Sequence, residues 1–205
     1  MPDPTQTIRG AEGPGPVRLG ALDRLAALVG EREYGGKNWG PIVQRVAGPF
    51  ISPPRLASYA PGGARAGGLQ WCALAVCWAI LDELEARPQR ELAGQWKRIA
   101  SASCGTLWGN LDSLGWAWRR GAALPAALCP VDAGAPGIPG PGDLVFYGDF
   151  RDNRPNLRHV DFYAETREGG RWSSIGGNSG PKADAVARVD RVNSSEVYGY
   201  ARVPW

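Results

Sequence analysis

The chain holds a single histidine, His159, and four cysteines: Cys72, Cys77, Cys104 and Cys129. Cys72 closes the run Gly67-Gly68-Leu69-Gln70-Trp71-Cys72 and opens an apolar stretch of helical pattern. His159 lies in the strand-like Arg158-His159-Val160-Asp161-Phe162-Tyr163, downstream of the loop Pro139-Gly140-Pro141-Gly142. A thiol at the head of a helix and an imidazole on a later strand are the two main parts of a cysteine-nucleophile hydrolase. The thiol needs a base, and one imidazole is present to serve it.

A free thiol titrates at ~8.5, so it is mostly protonated at neutral pH. At a helix N-terminus the unpaired N–H groups and the macrodipole favour the thiolate, and a neighbouring imidazolium favours it further. Cys72 is placed for that effect. Cys77, inside the same apolar helix, is not, and a core cysteine is the alternative reading for Cys72 itself. The amides around Cys72 and the Gln70 side chain are candidate oxyanion donors, Gln70 being otherwise a solvated neighbour of the helix cap.

Strand alternation puts Val160 and Phe162 on one side and His159 and Asp161 on the other. The base needs a group to hold its ring. Asn178, in Gly176-Gly177-Asn178-Ser179-Gly180, ranks first, ahead of its alternative as a turn residue between glycines. Asp161 competes, but side chains two apart on a strand point in parallel rather than at each other. Trp39 and Trp71 flank loops near the cysteine and are candidate walls of a substrate groove. Trp108, Trp116 and Trp118 recur at helical spacing and read as core.

Helices are expected first: an amphipathic one from Val17 to about Glu33, and a short one after Pro41 ending near Gly48-Pro49. A helix from Cys72 to about Ala86 follows, apolar nearly all round and so buried. Two more run from about Arg90 to Ser101 and Thr106 to Arg120. Prolines and glycines between Ile51 and Gly68 indicate an irregular loop. Strands follow at Leu144–Tyr147, His159–Ala164, Trp172–Gly176, around Ala185–Val192 and Val197–Val203. Helices followed by antiparallel strands describe one α+β domain over residues 17–205, behind a flexible arm of residues 1–16.

Length and composition agree. The chain has 205 residues, 43% hydrophobic and 21% charged, enough for one domain with a real core. A net charge of +3 selects no partner, and the arginines are too evenly spread for nucleic-acid binding. Only Lys37, Lys97 and Lys182 among the basic residues are lysine, the codon bias of a GC-rich bacterial or phage genome. The N-terminus shows no signal pattern and no run reaches the ~18 apolar residues of a membrane span, so synthesis in the cytoplasm is expected. The cysteines lack zinc spacing, and the acids Asp149, Asp152 and Asp161 are too scattered for a calcium loop, so no metal or organic cofactor is expected. Cys104 and Cys129 are a candidate disulfide in an oxidising compartment. Asn193-Ser194-Ser195 matches a glycosylation sequon, incidental in a chain of such origin.

These residues resemble a known family. Trp71-Cys72-Ala73 followed by an apolar helix with Trp78 is similar to the nucleophile motif of CHAP domains, the cysteine, histidine-dependent amidohydrolases/peptidases related to NlpC/P60 enzymes. Gly142-Asp143-Leu144-Val145-Phe146, His159-Val160 and Ser174-Ile175-Gly176-Gly177-Asn178 resemble that family's later strands, and the likeness spans roughly Asn38 to Val203. It implies a papain-like fold, helices packed on an antiparallel sheet, and cleavage of an amide bond in bacterial peptidoglycan. The enzyme would be an N-acetylmuramoyl-L-alanine amidase or a peptide-bridge endopeptidase, as in phage lysins and virion-associated lysins. The site it implies is Cys72, His159 and Asn178, with Gln70 at the oxyanion. Two positions depart from the pattern: Gly176 stands where many relatives carry Glu, and Asp161 where a small residue is usual. Asp143 reads as structural. The competing readings are a cysteine hydrolase of host proteins, with the same residues, and a non-catalytic module that kept the fold.

Overall fold

The computed structural model describes all residues except 1–15, 35–36, 89, 126–127, 129–136, 152–153 and 193–194. The expected N-terminal arm, Cys129, Asp152 and most of the sequon therefore lie outside the described residues. Six α-helices are described: α1 (Val17–Ala26), α2 (Pro41–Ala47), α3 (Pro53–Ala57), α4 (Cys72–Glu85), α5 (Arg90–Ile99) and α6 (Cys104–Ser113). Six strands are described with them: β1 (Ala117–Arg119), β2 (Leu144–Arg151), β3 (Arg154–Thr166), β4 (Trp172–Ser179), β5 (Ala185–Arg191) and β6 (Val197–Ala201). The strands form one antiparallel sheet in the order β1-β6-β2-β3-β4-β5. The α+β class read from the sequence is this architecture.

Helix α4 is the centre of the core. Ten of its residues are buried, because it has no polar face to offer solvent. It packs on α1, α2 and α5, and on the sheet at β3 and β4. Gly177 makes the β4 contact possible, since a Cβ there would collide with the Trp71 ring and the Ala75 methyl. Alternation along β3 sends Val160 and Phe162 into this core. Tyr163 belongs to a smaller cluster with Val145, Tyr147, Trp172 and Val197, where Tyr163 and Trp172 stack at 5.2 Å.

Three expectations need correction. The helix read from Thr106 to Arg120 starts two residues earlier and ends at Ser113. Gly115 then turns the chain at φ 70°, and Ala117–Arg119 pair with β6, so Trp118 is a buried strand residue rather than part of a helical stripe. Between Ile51 and Gly68 the chain forms the short α3, started by Pro53 and Pro54, where proline's fixed φ suits a first turn. Helix α1 stops at Ala26, with turns carrying the chain to Gly30.

Candidate active site

Cys72 is the first residue of α4. Its N-cap, Trp71, sits at φ −108°, ψ 5° and has no side-chain capping bond. By contrast, α6 is capped by Ser103, whose hydroxyl accepts from the Thr106 amide. The first-turn N–H groups of α4 have no intrahelical acceptor, and with the helix dipole they favour negative charge on the residue that opens the helix. Cys72 is 1% exposed. Its thiol is held well below the ordinary value by hydrogen bonding with Cys104, against the effect of burial, with further help from His159 and the Val160 amide. Cys77 shows the opposite: burial pushes its thiol up to about 12.

His159 sits just past an irregularity. Tyr147 pairs with His159 but Gly148 pairs with Leu157, so Arg158 is unmatched and β3 bulges there. A bulge increases twist and re-aims the neighbouring side chains. From His159 to Asp161 the register is unbroken and the two share a face, yet the expectation that they point in parallel does not hold. His159 Nε2 lies 2.7 Å from Asp161 Oδ1 and 3.0 Å from Ser179 Oγ. With Nε2 so engaged, Nδ1 is the ring nitrogen left for Cys72. Burial opposes charge on the imidazole, yet the Asp161 carboxylate outweighs it and raises the His159 pKa to about 10.

Asp161 is fully buried and multiply bonded. Ser174 Oγ donates to Oδ2 at 2.7 Å, Arg191 Nη2 at 2.9 Å, and Ser179 Oγ donates to Oδ1 at 3.2 Å. Burial alone would raise its pKa, but the His159 and Arg191 charges and the Ser174 bond hold it far below the carboxylate range. Its carboxylate fills the space beside Gly176, where a Cβ would overlap Oδ1. The absent side chain at Gly176 thus leaves the room that the Asp161 carboxylate occupies.

Asn178 does not touch His159 by any bond the structure records. It adopts φ +57°, a left-handed conformation that asparagine tolerates, and its Nδ2 donates to Gln70 Oε1 at 3.0 Å. The ranking of Asn178 above Asp161 as the group that orients the base is therefore reversed. Asn178 instead holds Gln70 by its carbonyl, a bond in which the Gln70 amide nitrogen takes no part. Gln70 itself is exposed at the cleft wall.

The cleft, about 570 Å³, is walled by Tyr59, Leu69, Gln70, Cys104, Leu157 and Arg158, with Gly68, Ala102 and Ser103. Arg55 and Arg65 approach Tyr59, bonding to its hydroxyl and lowering its pKa. Trp71 is not a groove wall. It is fully buried, its Nε1 donates to Glu33 Oε2 at 3.0 Å, and its ring lies against β4. Trp39 is half-buried and lines neither this cleft nor the smaller one around His159 and Asn178. Asp143 is fully buried against Arg202, which donates to both carboxylate oxygens at 2.8 and 2.7 Å, and against the Gly140 amide at 2.8 Å.

Sequence reasoning missed Cys104, Ser174, Ser179 and Arg191. A signal for Cys104 was present: Ser103 three residues before Thr106 is an N-cap pattern that starts the helix at Cys104. Among the described residues, no group of three or more His, Cys, Asp or Glu side chains is arranged to hold a metal ion, and no helix is long and apolar enough to cross a membrane. A scan against protein-family models finds no match for the chain, and a search of curated proteins finds none either.

Proposed function

We propose that this chain is a cysteine hydrolase of papain-like, CHAP-type architecture that cleaves an amide bond in bacterial peptidoglycan. The observation that carries the reading is the Cys72–His159–Asp161 array: a thiol on the first residue of α4, the only imidazole of the chain, and a buried carboxylate 2.7 Å from its Nε2. Such an array stores a thiolate–imidazolium pair, the reactive form of a cysteine nucleophile.

In this reading the Cys72 thiolate attacks the scissile carbonyl. The Cys72 N–H and the Gln70 amide nitrogen receive the oxyanion. His159 gives its proton to the leaving amine and then takes one from water, which releases the acyl group. Asp161 keeps the ring oriented and stabilises its charge. Arg158 stands on the cleft wall with Gln70 and Cys104, and no acidic side chain lines that cleft, which suits an acyl donor that carries carboxylates, as wall stem peptides do.

The test is digestion of purified peptidoglycan from several bacteria by the wild type and by Cys72→Ser, under reducing conditions, with products read by mass spectrometry. Fragments released by the wild type alone are the expected result, and their masses name the bond. Absence of fragments with every wall, combined with turnover of a protein substrate, would move the chain to the host-protein reading. Alkylation of Cys72 with no enhancement at neutral pH would favour the non-catalytic module.

A further inference from the structure

Cys104 opens α6 as Cys72 opens α4, and the two helix starts bring their sulfurs to 3.6 Å. Both carry free thiols. A disulfide places its sulfurs at about 2.05 Å, so closure needs a shift of roughly 1.5 Å, within the reach of side-chain rotation at the ends of two packed helices. Cys77 is committed elsewhere, its thiol donating to the Ser101 carbonyl at 3.7 Å. Cys104 also lines the open cleft with Gln70 and Arg158, so a small oxidant in the cleft stands one sulfur–sulfur contact of 3.6 Å from Cys72.

We propose that Cys72 and Cys104 form an oxidative modification site, in which a hydroperoxide oxidises Cys72 and Cys104 closes on it as a reversible disulfide. The Cys72 thiolate attacks the terminal oxygen of the hydroperoxide. The O–O bond breaks, a sulfenic acid forms on Cys72, and the remaining oxygen leaves with a proton as alcohol or water. The Cys104 sulfur then attacks the Cys72 sulfur. The S–S bond forms, the S–O bond breaks, and the departing hydroxide takes the Cys104 proton as water. The two sulfurs together supply the two electrons that reduce the peroxide. The division of labour matches the local charges. The Cys72 thiol ionises readily, whereas that of Cys104 is held protonated by its bond to Cys72 and by burial. The disulfide would silence the nucleophile and spare it from irreversible oxidation, and a small dithiol would restore it by exchange.

The experiment uses the full chain, reduced, desalted, exposed to graded hydrogen peroxide, capped with iodoacetamide and digested without reductant. The expected major product is a peptide pair joined through Cys72 and Cys104, with complete loss of alkylatable Cys72 and full recovery after dithiothreitol. In Cys104→Ser, the same dose should drive Cys72 to sulfinic and sulfonic acids that dithiothreitol does not reverse. The proposal is overturned if wild-type Cys72 ends alkylatable or over-oxidised without the cross-link, or if Cys104 is joined to Cys129 instead. The wild-type arm decides the matter even where the variant does not fold. Because the readout is a covalent bond, it does not depend on which substrate the chain cleaves.

Discussion

Two aspartates lie fully buried, one just ahead of β2 and one on β3, each against an arginine from further along the chain, and they do different work. Asp143, ahead of β2, gives both oxygens to Arg202 and one also to the Gly140 amide. All of those partners are permanent donors, so the charge is balanced once and stays balanced. Asp161 on β3 takes one bond from Arg191 and two from serines, and also meets His159 at 2.7 Å. That last partner can lose a proton. Burial of a carboxylate is costly unless it is paired, so both sites must hold the fold together. Only at Asp161 does the pairing reach a group that can change charge near the thiol.

Asparagine at each position separates the two roles. Asp161→Asn should lower kcat/KM by roughly 10²–10⁴-fold, since an amide neither charges the ring nor fixes its tautomer. Asp143→Asn should leave kcat/KM per folded molecule within a few-fold of wild type. It should instead cost about 2–4 kcal/mol of unfolding free energy by leaving Arg202 partly unpaired. Both are read by steady-state kinetics beside urea unfolding. If the two variants lose activity alike and stability alike, the distinction fails.

Much of this was open to inspection in the chain. Cys72 at a helix head and His159 on a later strand follow from apolar patterning and from the scarcity of imidazole. The order of helices before strands follows from the change of period after Gly142. The role of Asp161 did not follow, because alternation puts the two side chains on one face without saying that the ring reaches the carboxylate, and the bulge at Arg158 just ahead of His159 is invisible to it. A one-residue bulge has no signature in hydrophobic spacing. Trp71 misled for a different reason: a tryptophan beside a loop reads as a groove wall until the buried Glu33 that satisfies its N–H is known. That pairing bridges α4 and the segment after α1, and no local pattern contains it.

A second test attacks the assignment of the orienting residue. Gln70→Ala should lower kcat by about 10²-fold if its amide nitrogen holds the oxyanion. Asn178→Ala should cost only about tenfold, or about 1.4 kcal/mol of barrier, because it acts on Gln70 rather than on the base. In the Gln70→Ala background, Asn178→Ala should add almost nothing, since the two act as a unit. Were Asn178 the residue that holds His159, its loss would rival that of Asp161→Asn and would persist without Gln70.

The pH profile sharpens the contrast at the smallest scale. With the His159 pKa raised to about 10, the ring stays protonated across the neutral range. The Cys72 thiol is lowered well below its usual value by its bond to Cys104 and by His159, which favours the thiolate beside the charged ring. Wild-type kcat/KM should therefore hold level through neutral pH and fall as pH rises toward 10, when the leaving amine loses its proton donor. The stabilising effect of the charged ring has the same sign. It is fully present below the ordinary imidazole value of ~6.5 and is lost as pH climbs through about 10. The Asp161 contribution runs the other way, present above the ordinary carboxylate value and lost only in strong acid. Removing the Asp161 charge should thus draw the alkaline limb down toward neutrality, while Asp143→Asn leaves it where wild type has it. A wild-type limb already near pH 7 would sink the stored ion pair, and with it the distinction between a carboxylate that holds the sheet and one that holds a proton in place.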